Sequence, residues 1–232
     1  MAKKTLVCLH GALGTVEDFT HVANQLNESF DLKLLNFSGH GKGTFWPEQF
    51  RIETFAQDLE DFFNQQKLTD VSILGYSMGG YVAIYHKSHF ENSPITSILT
   101  YGTKFNWAEE DVLKEIPKLD PVQIQNKVPH FAEELEHRHG ERWKQVLRST
   151  AHMMQNLQKL DGLNHEDLAD VSCPVIISRG SEDSMVTLNE SEKAANHLTN
   201  GRYKEFSGAR HEFGSIPSED LIQELKNIIY PQ

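Results

Sequence analysis

Six short runs typical of strands, separated by segments with helical periodicity, constrain the fold of this 232-residue chain more than any other feature. Most runs are apolar throughout, as strands must be when helices cover both faces of a parallel sheet. The runs are TLVCLH from Thr5, LKLLNF from Leu32, VSILGY from Val71, ITSILTYG from Ile95, PVIISRG from Pro174 and RYKEF from Arg202. The alternation predicts an α/β fold with a doubly wound, mostly parallel sheet of about six strands.

Helical patterns fill most of the gaps between these runs. Between residues 52 and 63 the apolar side chains recur at steps of three and four while the acidic ones fall mostly elsewhere, which predicts an amphipathic crossover helix. Similar patterns predict helices over residues 16–26, 77–89, 188–198 and 218–229.

Residues 103–169 interrupt the alternation, because they contain helical patterns but no run typical of a strand. We therefore predict a helical cap insertion over residues 103–169 and a core built from residues 1–102 and 170–232. The sequence has no repeat, low-complexity segment or Gly/Ser linker, so the insertion is expected to pack on the sheet domain.

The charge balance argues against a general nucleic-acid binder. Against 22 Lys and Arg the chain carries 33 Asp and Glu, a formal net charge of -11, whereas phosphate binding requires a basic surface. The apolar run after Lys4 is too short for a signal-peptide core or a membrane span, so we expect a cytoplasmic protein without a membrane partner. Cys8 and Cys173 lie in apolar runs, where we expect buried thiols and no disulfide.

The stretch GYSMG, residues 75–79, places Ser77 between glycines. Such a pattern arises by chance in roughly one chain in ten of this length, but its context here is specific. VSIL supplies a strand before it and YVAIYHKSHF a helix after it, and the glycines permit a tight turn that exposes the serine hydroxyl. The context predicts a nucleophile; the alternative is a serine that only caps the helix.

A serine nucleophile needs a base, and the base needs an orienting acid. Asp183 follows the run PVIISRG, at the carboxyl end where α/β sheets place their sites, and neighbouring Glu182 is the substitute candidate. His211 lies in SGARHEFG, after the last run. The order Ser77, Asp183, His211 is the one expected for a nucleophile on a strand-to-helix turn.

A glycine-rich turn, HGALG at residues 10–14, closes the first run. Such a turn can aim backbone amides at developing negative charge. We predict an oxyanion hole formed by the amides of Ala12 and Met78, with Leu13 as the fallback for Ala12.

These four motifs resemble those of the α/β-hydrolase superfamily over essentially the whole chain. LHGALG, GYSMGG, PVIISRGSED and GARHEF are similar to its oxyanion turn, nucleophile elbow, acid strand and histidine loop. NFSGHGKG, residues 36–43, is similar to the D-x-R-G-H-G-x-S loop of the small esterase and bromoperoxidase-like branch, with Asn36 and Ser38 replacing Asp and Arg. Family members usually carry an antiparallel hairpin before the HG-containing strand, whereas this sequence reaches TLVCLHG at once, so we expect a minimal six-stranded core. The resemblance implies a cap at residues 103–169.

Most of the twelve histidines must be bystanders. In HRH, His137 and His139 stand two residues apart on a predicted helix, where their rings diverge, so we expect them to be solvated and not to share a metal. His10 and His40 lie in glycine turns near the predicted site, where we favour hydrogen bonds that shape the loops over contact with substrate.

Large apolar side chains of the predicted cap are candidates for lining an acyl pocket, although such side chains more often form the core of a cap. The candidates are Phe105, Trp107, Phe131, Trp143, Met153, Met154 and Leu157. We place Trp107 and Met154, together with Leu13, in contact with the substrate.

The sequence therefore predicts a serine hydrolase that cleaves a small or medium-sized carboxylic ester through an acyl-enzyme intermediate, without cofactor or metal. The same triad serves carbon–carbon bond cleavage, acyl transfer and peracid formation in this superfamily, and these remain alternatives. A non-catalytic receptor for a small ligand is the alternative of another class. Its usual sign is a lost triad member, and none is lost here.

Overall fold

All six predicted runs form strands of one sheet. The computed structural model describes residues 3–42 and 50–231, and within them the strands are β1 Thr5–Leu9, β2 Asp31–Leu35, β3 Val71–Tyr76, β4 Ile95–Tyr101, β5 Val175–Gly180 and β6 Gly201–Phe206. Their order is β2-β1-β3-β4-β5-β6, and every adjacent pair is parallel. The predicted six-stranded, mostly parallel sheet is confirmed. Gly43, the last residue of the glycine loop that begins at Asn36, lies outside the described residues.

The strand order reverses beside β1. The chain leaves β1 for the edge strand β2 and then returns across β1 to form β3, so that Leu9 and Gly75 are register partners near the ends of β1 and β3. In open α/β sheets, ligands bind in the crevice outside the carboxyl ends of the strands at such a switch point. The turns after β1 and β3, which carry HGALG and GYSMG, therefore lie side by side.

The helices predicted outside residues 103–169 are present, with shifts at two of their starts. Within the described residues the helices are α1 Thr20–Ser29, α2 Ile52–Gln66, α3 Met78–His89, α4 Glu109–Glu115, α5 Pro121–Lys127, α6 Pro129–His139, α7 Trp143–Asn156, α8 His165–Ala169, α9 Leu188–His197 and α10 Ser218–Ile229. The pattern over residues 16–26 begins as a 3-10 helix, Val16–Phe19, before α1. The helix predicted from residue 77 starts at Met78, because the backbone of Ser77 is not helical. None of the described helices is both long and apolar enough to cross a membrane.

Helices cover both faces of the sheet. On one face α2, α3 and α9 bury apolar side chains such as Leu59, Val82 and Ala194, and on the other α1 and α10 bury Val22 and Leu225. Burial of both faces explains why most of the strands are apolar throughout and do not alternate apolar with polar residues. The doubly wound arrangement is confirmed.

Residues 103–169, here called the insertion, lie between β4 and β5 and contain α4 to α8 without a strand. The helical pattern over residues 122–139 forms two helices, because Pro129 disfavours the α conformation at Val128, whose φ and ψ are −137° and 60°. An apolar cluster within the insertion also contacts Leu13 of the turn after β1. The cluster consists of Ile124, Ala132, Leu135, Trp143 and Leu147.

Candidate active site

Ser77 occupies the turn between β3 and α3 in a conformation that is rare for an L-amino acid. Its φ of 49° and ψ of −114° lie outside the helical and extended regions. Its N–H donates to the Tyr101 carbonyl at 2.7 Å, and the Thr103 hydroxyl donates to its carbonyl at 2.9 Å. Hydrogen bonds on both sides of the residue therefore hold the strained turn.

Two glycines of GYSMGG, Gly75 and Gly79, are required by close backbone approach. A Cβ atom on Gly75 would lie 2.4 Å from the Gly80 Cα, and one on Gly79 would lie 2.2 Å from the Leu9 carbonyl oxygen. Real Cβ atoms do not approach backbone so closely. The absence of side chains here lets α3 start directly against β3 and the end of β1.

Asp183 and His211 form a hydrogen-bonded pair in the loops after β5 and β6. His211 Nδ1 lies 2.9 Å from Asp183 Oδ2, while Asp183 Oδ1 accepts the N–H groups of Met185 and Val186 at 2.8 and 2.9 Å. Burial on its own would raise the pKa of Asp183, but the hydrogen bond and charge of His211 and the two amides together hold it below its ordinary value. The buried carboxylate is thus ionised at neutral pH, whereas Glu182, the substitute candidate, is exposed.

Other buried side chains, which were not among the predicted site residues, hold the loops that carry this pair. Arg179, which is 7% exposed, donates from Nη2 to the Asp183 carbonyl at 3.1 Å. The Tyr101 hydroxyl donates to the Arg210 carbonyl, next to His211. A charged residue inside the apolar run PVIISRG was the one signal in the sequence that pointed to Arg179.

Ser77 and His211 line a common cavity of about 240 Å³ between the sheet and the insertion. The three predicted substrate contacts, Leu13, Trp107 and Met154, all line it. Of the other candidates, Phe131, Met153 and Leu157 also line it, while Phe105 packs on Tyr81 and Trp143 belongs to the apolar cluster of the insertion. In the described residues no hydrogen bond joins the Ser77 hydroxyl to His211.

The turn after β1 brings Ala12 and Leu13 to the cavity wall. The Gly14 N–H donates to the Gly11 carbonyl at 3.1 Å, and Leu13 between them has a left-handed φ of 63°. Ala12 and Met78 both line the cavity, and Met78 begins α3, where the first N–H groups have no partner within the helix. Among residues 3–42 and 50–231, neither amide has a hydrogen-bond acceptor.

Three charged side chains that were not among the predicted site residues, Lys104, Glu115 and Lys118, also line the cavity. Lys104, which is 4% exposed, pairs with Asp111 at 2.8 Å and with Glu190 at 3.4 Å. Lys118 pairs with Glu115 at 2.7 Å. Each ammonium group therefore has a carboxylate partner in the chain, and neither presents an unpaired positive charge to a ligand.

His10 and His40 make hydrogen bonds to loop backbone, as predicted. His10 Nδ1–H donates to the Gly11 carbonyl at 2.8 Å, and His10 Nε2 accepts the Phe37 N–H at 3.1 Å. His40 Nδ1 lies 3.3 Å from the Ser38 carbonyl oxygen. Neither ring is part of the cavity wall around Ser77.

The prediction that the histidines of HRH are solvated is wrong for His139. The side chain of His137 is 74% exposed, but His139 is only 1% exposed. Its Nε2 lies 2.9 Å from the Leu13 carbonyl oxygen and its Nδ1 lies 3.0 Å from the Gly41 nitrogen. The two rings do diverge, but the His139 ring points from α6 into the core and not into water.

The two departures from the glycine-loop pattern of the family make contacts away from this cavity. Asn36 Oδ1 accepts the Val16 N–H at 2.8 Å. Ser38 donates from both its N–H and its hydroxyl to the Asp58 carboxylate, each at 2.7 Å. Neither residue lines the cavity.

Comparison with known proteins decides the family. Residues 4–133 match the sequence profile of the alpha/beta hydrolase fold. This chain belongs to the α/β-hydrolase family. The parallel sheet and the strained turn at Ser77 are features of a hydrolase-fold chain, and the resemblance noted in the sequence is confirmed.

Relatives of this α/β-hydrolase include proteins with different described activities. A putative 2-succinyl-6-hydroxy-2,4-cyclohexadiene-1-carboxylate synthase of Bacillus subtilis (strain 168) is 37% identical over 84 residues, which span 35% of this chain and 30% of the synthase. A proline iminopeptidase of Lactobacillus delbrueckii subsp. lactis is 21% identical over 245 residues, covering 89% of this chain and 83% of the peptidase. An esterase from Exiguobacterium antarcticum superposes with a TM-score of 0.77 at 19% identity, covering 98% of this chain and 92% of the esterase. At that identity the structural likeness shows the shared fold.

Proposed function

We propose that this chain is a serine hydrolase that cleaves a small or medium-sized carboxylic ester. One observation carries the proposal. Ser77, on a strained strand-to-helix turn, lines the same cavity as His211, whose ring is hydrogen bonded at 2.9 Å to the buried Asp183. A serine hydroxyl becomes a useful nucleophile only beside an oriented base, and this pair supplies one.

The proposed first step forms an acyl-enzyme. Because His211 Nδ1 donates to Asp183, its Nε2 carries the free lone pair. Ser77 Oγ rotates to Nε2 when substrate binds, since such contacts often tighten only in the substrate complex. His211 takes the proton as Oγ attacks the carbonyl carbon, and it returns that proton to the departing alcohol.

The oxyanion of each tetrahedral intermediate accepts hydrogen bonds from the amides of Ala12 and Met78 in this proposal. In the second step His211 removes a proton from water, and the resulting hydroxide attacks the acyl carbon. The carboxylic acid leaves, Ser77 regains its proton, and Asp183 stays ionised throughout.

The cavity supports an uncharged substrate of modest size. Its volume of about 240 Å³ is below the range of pockets that hold drug-sized ligands. Leu13, Trp107 and Met154 give it apolar walls, and Lys104 and Lys118 are already paired with carboxylates. An esterase shares this fold, which is compatible with an ester substrate, and the net charge of -11 disfavours a nucleic-acid partner.

We further propose that the insertion, residues 103–169, acts as a cap over a core formed by residues 1–102 and 170–232. The cavity supports this division because residues from both parts line it. Cys8 and Cys173 are buried free thiols, which supports a reducing, cytoplasmic location.

Ser77→Ala tests the hydrolase proposal. We expect kcat/KM for p-nitrophenyl acetate and butyrate to fall at least about 10³-fold, because removal of the nucleophile leaves only binding and oxyanion stabilisation. Ser88→Ala, at the other end of α3, is the matched control and should keep the wild-type rate. If Ser77→Ala hydrolyses these esters at the wild-type rate, the proposal is wrong.

A further inference from the structure

We propose that His139 is a positioning residue that holds the turn after β1 in shape for the oxyanion. The inference rests on the function proposed above, because it acts through the Ala12 amide in that turn. His139 ends α6 and is 1% exposed, with Nε2 2.9 Å from the Leu13 carbonyl oxygen and Nδ1 3.0 Å from the Gly41 nitrogen. One side chain of the insertion thus joins two loops of the core.

The two partners leave the His139 ring a single protonation state. The Leu13 carbonyl can only accept, so Nε2 carries a proton and donates it. The Gly41 N–H can only donate, so Nδ1 offers a lone pair. Burial lowers the pKa of His139, and the ring is therefore neutral at neutral pH with its proton on Nε2.

The hydrogen bond from His139 stabilises a strained backbone conformation at Leu13. Its φ of 63° is in the left-handed region, which leucine rarely adopts. The insertion contacts both ends of this residue, since the side chain packs against the apolar cluster and the carbonyl accepts from His139. Loss of the carbonyl bond lets Leu13 relax, and this displaces the neighbouring Ala12 amide relative to Ser77.

The residues before His139 attach the same end of α6 to the segment after the turn. Arg138 Nη1 lies 2.6 Å from Asp18 Oδ1, and the exposed His137 Nδ1 lies 3.9 Å from Glu17 Oε2. Both contacts join side chains. Within the described residues, His139 is the member of HRH that bonds to the backbone of the turn itself. Loss of its side chain should therefore affect the oxyanion hole directly, whereas loss of the other two contacts should affect only the attachment of α6 to the core.

Two conservative substitutions test the two hydrogen bonds of His139 one at a time, because each variant keeps one bond and removes the other. In His139→Gln the amide nitrogen reaches the position of Nε2 and can donate to Leu13. In His139→Asn the shorter side chain keeps an acceptor for Gly41 but cannot reach Leu13.

We expect kcat for p-nitrophenyl acetate to fall about 10- to 100-fold in His139→Asn, with KM within about threefold of wild type, since the oxyanion develops only in the transition state. His139→Gln should stay within about threefold of wild-type kcat. His137→Ala, the exposed histidine of the same helix end, is the matched control and should keep wild-type kcat.

Loss of kcat in both His139 variants or in neither overturns the positioning role, as does an equal loss in His137→Ala. Thermal unfolding of each variant shows whether the fold is intact. Ser77→Ala distinguishes this inference from the hydrolase proposal. If Ser77→Ala stays active, the hydrolase proposal fails; if Ser77→Ala is inactive and His139→Asn is fully active, only the positioning role fails.

The protonation state of His139 can be measured in the wild-type protein, so this test does not depend on whether a variant folds. Long-range ¹H–¹⁵N correlation spectra of the histidine rings at pH 7 should show His139 neutral and protonated at Nε2, as its two partners require. A charged His139 ring, or one protonated at Nδ1, contradicts the inference.

Discussion

Acidification should destabilise the folded chain through its buried histidines, and His10 allows the effect to be measured. His10 is fully buried, and its bonds to Gly11 and Phe37 require a neutral ring. Burial lowers the pKa of His10 to about 4, from an ordinary value of 6.5. As the pH falls below 6.5 the unfolded chain binds a proton that the folded chain does not bind, so the free energy of unfolding decreases.

The size of this loss follows from the difference between the two pKa values. Each pKa unit corresponds to about 1.4 kcal/mol, so His10 removes about 2 kcal/mol between pH 6.5 and 5.0, and about 3 kcal/mol once both states are protonated below about pH 4. Burial also lowers the pKa values of His40 and His139, which adds to the loss in the same direction.

Urea unfolding followed by tryptophan fluorescence at pH 7.5 and 5.0 measures the loss. His10→Asn keeps a donor for the Gly11 carbonyl but does not titrate, so its free energy of unfolding should fall by about 2 kcal/mol less than that of wild type over this range. His130→Asn, at a side chain that is 96% exposed, is the control and should show the wild-type pH dependence. An identical pH dependence in wild type and His10→Asn would refute the reasoning.

Three further substitutions test the site and its supports. Asp183→Asn should lower kcat/KM for ester hydrolysis by about 10⁴-fold with the fold intact, because the amide cannot hold His211 in the productive tautomer; a loss below tenfold contradicts this role. Gly79→Ala should reduce the free energy of unfolding by about 1–3 kcal/mol, because its Cβ meets the Leu9 carbonyl oxygen at 2.2 Å. Gly214→Ala, where no atom lies within 4 Å of the Cβ, is its control and should change stability by less than about 0.5 kcal/mol in the same urea titration. Glu190→Ala should cost about 3 kcal/mol by urea unfolding, because it removes a partner of the buried Lys104 and the acceptor of the Phe105 and Asn106 amides; unchanged stability would show that these contacts are not needed.

The sheet and the positions of Ser77, Asp183 and His211 could be predicted because their signals are local. Most strands are continuous apolar runs, and each of these residues follows a predicted strand by a few positions. Parallel strands then bring their carboxyl ends to the same edge of the sheet, which places distant segments of the chain together without further information.

The contacts of the insertion could not be predicted in this way. The ring of His139 is buried because α6 packs on the turn after β1, and helical spacing alone does not say which face of a short helix meets another part of the chain. Lys104 is buried with Glu190, a residue 86 positions away in the sequence. The break at Val128 was predictable, since Pro129 follows it directly.

Covalent labelling of intact protein tests the central claim, that Ser77 is an activated nucleophile, most directly. After incubation with a fluorophosphonate at pH 7.5, mass spectrometry should show one adduct, peptide mapping should place it on Ser77, and Ser77→Ala should not react. His211→Ala should slow labelling strongly, because the serine then lacks its base. A protein that is folded but acquires no adduct, or acquires it on another residue, would contradict the account and favour a ligand receptor on this fold.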